Sequence, residues 1–150
     1  MKEEAIMLLA TGFYIGNIPF APGTFGSLLG LPLCFFLAGL TLPLSVICTL
    51  LFISFAVWVA HTAEKLLMKT DPGCIVIDEM AGMVVTLVGL PFTLNTAVLG
   101  FICFRILDIL KPFPIRILDQ KITGGAGIVM DDVAAGIIAN LLLRIIIYFL

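Results

Sequence analysis

Eight carboxylates fall between Glu64 and Asp132 of this 150-residue chain, and five of them, Asp78, Glu79, Asp108, Asp131 and Asp132, stand beside or inside apolar runs. An ionisable side chain in such a run is costly unless something neutralises it, which makes these residues the first candidates for chemistry. Asp78 and Glu79 are neighbours, as are Asp131 and Asp132. Adjacent carboxylates in a low-dielectric site repel one another unless a cation lies between them. A hard, oxygen-seeking ion such as Mg²⁺ is the simplest such cation. Asp71, which precedes Pro72, reads equally as a further ligand or as the N-cap of a helix starting at 72. That helix would set Asp78 two turns along, on the same face as Asp71.

The cations have their own spacing. Arg105, Asp108 and Lys111 are successively three apart, which puts them on one helical face, with Lys111 at the helix end that Pro112 enforces. Arg116 and Asp119 form a second pair of that spacing, read either as a surface ion pair or as part of an anion site. Basic residues mixed with carboxylates suit a phosphate held between Arg or Lys and a metal. A salt bridge to Arg105 or Lys111 would account for one carboxylate, and the surplus of acids favours a metal for the rest. The glycines of 124–127 precede Asp131 as a turn whose backbone can approach an anion, or simply as a turn. In 23–27, Thr24 and Ser27 either cap a helix or donate hydrogen bonds. The lone His61 reads first as a polar helix end and second as a ligand or acid–base group. Gly136 and Asn140 read as a close-packing face.

The elements that must carry these residues are apolar. The hydrophobic fraction is 61%, the charged fraction 12% and the mean hydropathy +1.23, against about 45–50% apolar and about 25% charged in a soluble domain. No Lys, Arg, Asp or Glu occurs from residue 5 to 60 or from 80 to 104. Since a spanning helix needs about 20 apolar residues, and Gly39, Pro43 and Pro91 break the long runs, the pattern predicts helical hairpins at 25–39 with 43–61 and at 72–89 with 94–110, then a final helix at 131–150. The expected fold is an all-α membrane bundle, one domain over 1–150 with about five short crossings, plus an interfacial or docked helix within 2–15. Lys65, Lys69, Lys111, Arg116 and Lys121 fall in loops on one side, which the positive-inside rule makes cytoplasmic. The hairpins thereby bring 23–27, 61–78, 105–121 and 124–132 to one membrane face.

A net charge of −2 with no basic run excludes a nucleic-acid binder, and the apolar content excludes a disordered tail. Cys34, Cys48, Cys74 and Cys103 are scattered and contain no C-x-x-C pair, so they read as buried small hydrophobes. Glu3 and Glu4 spoil the basic start of a signal peptide, so the N-terminal segment is expected in the mature protein. A cysteine-phosphatase loop, a two-histidine phosphatase pattern, an aspartyl-nucleophile motif, a nucleotide-binding P-loop and the CDP-alcohol signature are all missing from the sequence. What remains is metal-assisted attack by water.

Four ordered stretches resemble the phosphatidylglycerophosphatase A family of bacterial membrane enzymes: 21–27, then 75–79 with Gly82, then Phe104 through Arg105, Asp108, Lys111, Pro112, Pro114 and Arg116 to Asp119, then 124–132 with Ala135 and Gly136. The chain departs from the relatives' glycine-rich G-F-G-S-G stretch at 12–16, where Tyr14 and Ile15 stand. The resemblance implies Mg²⁺-dependent removal of the terminal phosphate of phosphatidylglycerophosphate to give phosphatidylglycerol, in the bacterial cytoplasmic membrane with the active site facing the cytoplasm. In this reading Asp78, Glu79, Asp131 and Asp132, with Asp108 or Asp71, hold Mg²⁺. Arg105 and Lys111 hold phosphate oxygens, helped by Thr24, Ser27 and Arg116. The substrate lipid and the membrane are the expected partners; no protein partner is evident. The alternative is an ion-coupled transporter or channel with an intramembrane carboxylate path. Against it, the turns at 38–45 and 89–95 carry no charge, whereas a path needs polar groups on both sides of the midplane.

Overall fold

A computed structural model describes residues 2–149. Among the described residues seven α-helices occur in the order α1 (Glu3–Ala10), α2 (Pro22–Ala38), α3 (Leu42–Leu67), α4 (Ile77–Leu87), α5 (Leu94–Leu110), α6 (Ile115–Lys121) and α7 (Gly124–Phe149), with a 3-10 turn at Ile15–Asn17. No strand occurs among the described residues. The all-helical expectation therefore holds. The first hairpin forms as the apolar pattern predicts, Pro43 sitting in the first turn of α3, where its missing N–H costs nothing. The N-terminal helix docks rather than floating: Ile6 and Ala10 are buried with Ala56, Val59 and Ala63 of α3.

Two helix boundaries differ from expectation. The second hairpin begins at Ile77, not at 72, because Asp71 takes a left-handed φ of 45° and 71–76 runs as irregular turns. Val76 N–H donates to the Ala10 carbonyl, which anchors that segment against α1. Asp78 and Glu79 accordingly lie in the first turn of α4, next to its positive dipole end, and not two turns in. Conversely α7 starts at Gly124, so the glycine-rich stretch is helix rather than loop. Gly125 is packed so tightly on α3 that a Cβ would lie 2.5 Å from the His61 backbone nitrogen. Gly125 therefore serves helix contact, while Gly124 opens the helix from the left-handed region with φ 73°.

At about 1.5 Å per residue the 11-residue α4 is only about 16 Å long, too short for a hydrocarbon core of about 30 Å. Two helices, α3 and α7, are long and apolar enough to cross. Around them the outward sides of α2, α3, α5 and α7 carry exposed apolar residues such as Phe36, Leu51, Ile102 and Leu141, which suits a lipid-facing surface. Inside, α4 packs against α2, α3, α5 and α7. Its contact with α2 depends on missing side chains: a Cβ on Gly26 would lie 2.6 Å from Val76 Cβ and one on Gly30 3.0 Å from Met83 Cβ. With small residues at the seam the backbones approach closely, which is how helices gain packing where no hydrophobic effect separates them from lipid.

Candidate active site

The alternating chain directions bring the end of α3, the start of α4, the end of α5, all of α6 and the start of α7 to one end of the bundle. There they enclose a cavity of about 290 Å³ lined by Glu64, Asp71, Asp78, Glu79, Asp108, Lys111, Asp119, Gln120, Thr123, Asp131 and Asp132, with Ile75, Ile122 and Ile128 as apolar wall. All eight carboxylates of the 64–132 segment line this one space, with Lys111 the cation among them.

At its buried floor, one carboxylate oxygen from each of Asp78, Glu79 and Asp132 lies within 4.8 Å of the other two. Asp78 is 8% exposed and Asp132 3%. Asp78 Oδ1 and Glu79 Oε2 are buried without any hydrogen-bond partner, and so is Asp131 Oδ1. Unpartnered buried carboxylate oxygens are strongly disfavoured. An all-oxygen donor set of this kind, converging from two helices, fits a hard divalent cation such as Mg²⁺.

The cations sit around that floor in distinct roles. Arg105 Nη1 donates to Asp108 Oδ2 at 2.6 Å and to Ser27 Oγ at 3.4 Å, while Ser27 Oγ itself donates to the Gly23 carbonyl at 2.8 Å. A Cβ on Gly23 would overlap Glu79 Oε1 and come 3.2 Å from Arg105 Nη1. Glycine at 23 is thus what lets the first turn of α2 reach the acidic floor. Lys111, in the left-handed region with φ 42° where α5 ends, donates to Asp119 Oδ1 and to Asp131 Oδ2, each at 2.6 Å. Its partial burial disfavours the charge, but the two carboxylates outweigh burial and push the ammonium above its ordinary value of 10.5.

Most of the sequence candidates meet here. Asp78, Glu79, Asp108, Lys111, Asp131 and Asp132 line the cavity, and Asp71 lines its rim, where its N–H donates to Glu64 Oε1 at 3.4 Å. Ser27 is fully buried and bonded to Arg105, which makes it a support for that guanidinium. Thr24 is half-buried and absent from the cavity wall. Arg116 is exposed and is not joined to Asp119, because Asp119 turns to Lys111 instead. His61 Nδ1 accepts from Gly125 N–H at 3.4 Å, outside the cavity. Sequence reasoning missed Glu64, Gln120 and Thr123 as wall residues, and only the acidic character of Glu64 hinted at any of them.

The family described as Phosphatidylglycerophosphatase A matches residues 8–147. The chain belongs to that family. A phosphatidylglycerophosphatase A of Escherichia coli K12 is 41% identical over 88% of this chain and 77% of its own length. One from Haemophilus influenzae is 38% identical over 97% of this chain and 90% of its own length. A Bacteroides thetaiotaomicron relative, 35% identical over 97% of this chain and 96% of its own, carries the provisional name phosphatidylinositol-3-phosphatase. No solved structure matches significantly. The matched span includes every cavity-lining residue, so membership in the phosphatidylglycerophosphatase A family and the acidic cavity concern the same part of the molecule.

Proposed function

We propose that this chain is a Mg²⁺-dependent lipid phosphatase that removes the terminal phosphate of phosphatidylglycerophosphate to give phosphatidylglycerol. The observation that carries the reading is the convergence of Asp78, Glu79 and Asp132 within 4.8 Å, with unpartnered buried oxygens, in a member of that family. Asp78, Glu79 and Asp132 would hold the ion, with Asp131 or Asp108 beside them. Bound there, Mg²⁺ would supply Lewis-acid polarisation of the phosphoryl group and lower the pKa of nearby water. Lys111 brings positive charge to the cavity wall, and Arg105 stands behind it on Asp108; a phosphomonoester exchanges with the carboxylate partners of Lys111, and its developing charge is stabilised there. A carboxylate of the cluster accepts a proton of the attacking water, the P–O bond to the glycerol oxygen breaks with its electron pair as the new P–O bond forms, and that proton passes to the departing oxygen to give the alcohol.

Several helices cross the bacterial cytoplasmic membrane in this reading, with the cavity at its cytoplasmic face, supported by the basic residues Lys65, Lys69, Lys111, Arg116 and Lys121 at that end. The acyl chains stay in lipid while the headgroup enters the cavity. The test is phosphate release from phosphatidylglycerophosphate by the purified protein in detergent, with Mg²⁺ and with excess EDTA. Release that requires Mg²⁺ is expected. Equal release in EDTA sinks the metal role, and release only from phosphatidylinositol 3-phosphate moves the substrate assignment to the Bacteroides relative's name.

A further inference from the structure

The helix that carries Asp78 and Glu79 ends inside the bundle, and its other end is held in a specific way. The last four carbonyls of a helix lack intrahelical partners and must find others. In α4 the Val84 carbonyl accepts from Val88 N–H and the Leu87 carbonyl from Leu90 N–H. The remaining two, Val85 and Thr86, accept from Asn140 Nδ2 at 3.3 and 2.9 Å. Asn140 Nδ2 also reaches the Val88 carbonyl at 3.0 Å. Arg144 completes the bracket: its Nε donates to Asn140 Oδ1 at 2.8 Å, and its Nη2 to the Val88 and Gly89 carbonyls at 3.3 and 3.4 Å.

Asn140 and Arg144 continue a stripe on α7 whose members are four residues apart, Asp132, Gly136, Asn140 and Arg144. Each meets the next stretch of α4. Asp132 meets Asp78 and Glu79; a Cβ on Gly136 would lie 2.5 Å from the Gly82 carbonyl; Asn140 and Arg144 take the carbonyls at the far end. The geometry points to Asn140 and Arg144 as positioning residues that set the axial register of α4 on α7, and through it the spacing of the Asp78, Glu79 and Asp132 oxygens. A slip of one residue would move the α4 carboxylates by about 1.5 Å along the axis. Mg²⁺ tolerates little such looseness, since it demands near-ideal octahedral geometry at about 2.1 Å, whereas Ca²⁺ accepts longer and less regular contacts.

This inference rests on the metal reading above. The experiment titrates detergent-purified wild type, Asn140→Ala, Arg144→Met and the control Asn95→Ala with Mg²⁺ and separately with Ca²⁺. Melting temperature reports binding, and circular dichroism and size exclusion report fold. Folded Asn140→Ala is expected to need about 10–100-fold more Mg²⁺, the range typical of residues that orient ligands from behind, while its Ca²⁺ midpoint changes less, so that the preference for Mg²⁺ narrows. Arg144→Met is expected to shift in the same direction by less, and Asn95→Ala not at all. If Asn140→Ala does not fold, Arg144→Met decides. Folded variants with the wild-type Mg²⁺ midpoint, or with both ions weakened equally, overturn the inference while leaving the metal site standing. A wild type that responds to neither ion overturns the metal reading and this inference together.

Discussion

Lys111 Nζ lies 2.6 Å from Asp131 Oδ2 and so ties the end of α5 to the acidic turn of α7. The same ammonium reaches Asp119 on α6 at an equal distance. One side chain therefore closes three sides of the cavity and supplies positive charge to it.

Lys111→Met should lower turnover by about 10²–10³-fold, the scale of losing one group that stabilises developing charge. It should also destabilise the protein by an amount independent of pH between 6 and 9. The sign follows from linkage: the folded-state pKa lies above the ordinary 10.5, so the contribution is complete below 10.5 and is lost only as pH rises through the still higher folded value. The check is the melting-temperature difference between wild type and variant at several pH values; a difference that shrinks between 7 and 9 contradicts this assignment.

Asp78→Asn removes one of three mutually repelling carboxylates from the acidic floor. Without metal the variant should melt higher than wild type, because a buried like-charge contact is relieved. Its response to Mg²⁺ should vanish, whereas saturating wild type at about 100 times its dissociation constant should add about 2.7 kcal/mol. Turnover should fall more than about 10²-fold, past the range of residues that only orient ligands. Thermal scans with EDTA and with Mg²⁺ read both signs at once.

Gly23→Ala places a Cβ on Glu79 Oε1. A folded variant with at least about tenfold weaker Mg²⁺ dependence is expected, since an orienting contact has been disturbed. Activity measured across a Mg²⁺ series checks it, and an unchanged midpoint would remove Gly23 from the site.

Ser27→Ala deprives Arg105 of an oxygen partner at 3.4 Å while keeping its pair with Asp108. A loss of about 1 kcal/mol in transition-state stabilisation, roughly fivefold in kcat/KM, is the scale of one such hydrogen bond. Arg116→Ala should stay within about twofold, because surface charges away from specific partners contribute little. Parallel kinetics of the two variants separate a guanidinium that is held in the site from one that is outside it.

Much of this was legible in the sequence. Carboxylates at Asp78, Glu79, Asp131 and Asp132 inside apolar runs announce an acidic site, because the cost of burying charge admits few other reasons. Pro43 and Pro91 mark hairpins, and charge confined to one set of loops predicts that 61–78, 105–121 and 124–132 share a face. These are local signals, set by composition and backbone chemistry within a few residues.

Pairing and register were decided only by tertiary structure. The i,i+3 spacing of Arg116 and Asp119 offered an ion pair, but Lys111, eight residues before Asp119, competes for it once Pro112 and Pro114 fold α6 back across the cavity. Asp71 looked like a cap, yet the helix starts at Ile77 because 71–76 is drawn to α1 through the Val76 to Ala10 hydrogen bond. The 124–127 glycines looked like a turn, yet they form the first turn of α7, with Gly125 packed on α3. Asn140 and Arg144 gave no sign that they finish α4, more than fifty residues away in the chain. Periodicity tells which face of a helix is buried, but which backbone groups a distant side chain must satisfy depends on where another helix stops, and that is a property of the packed bundle.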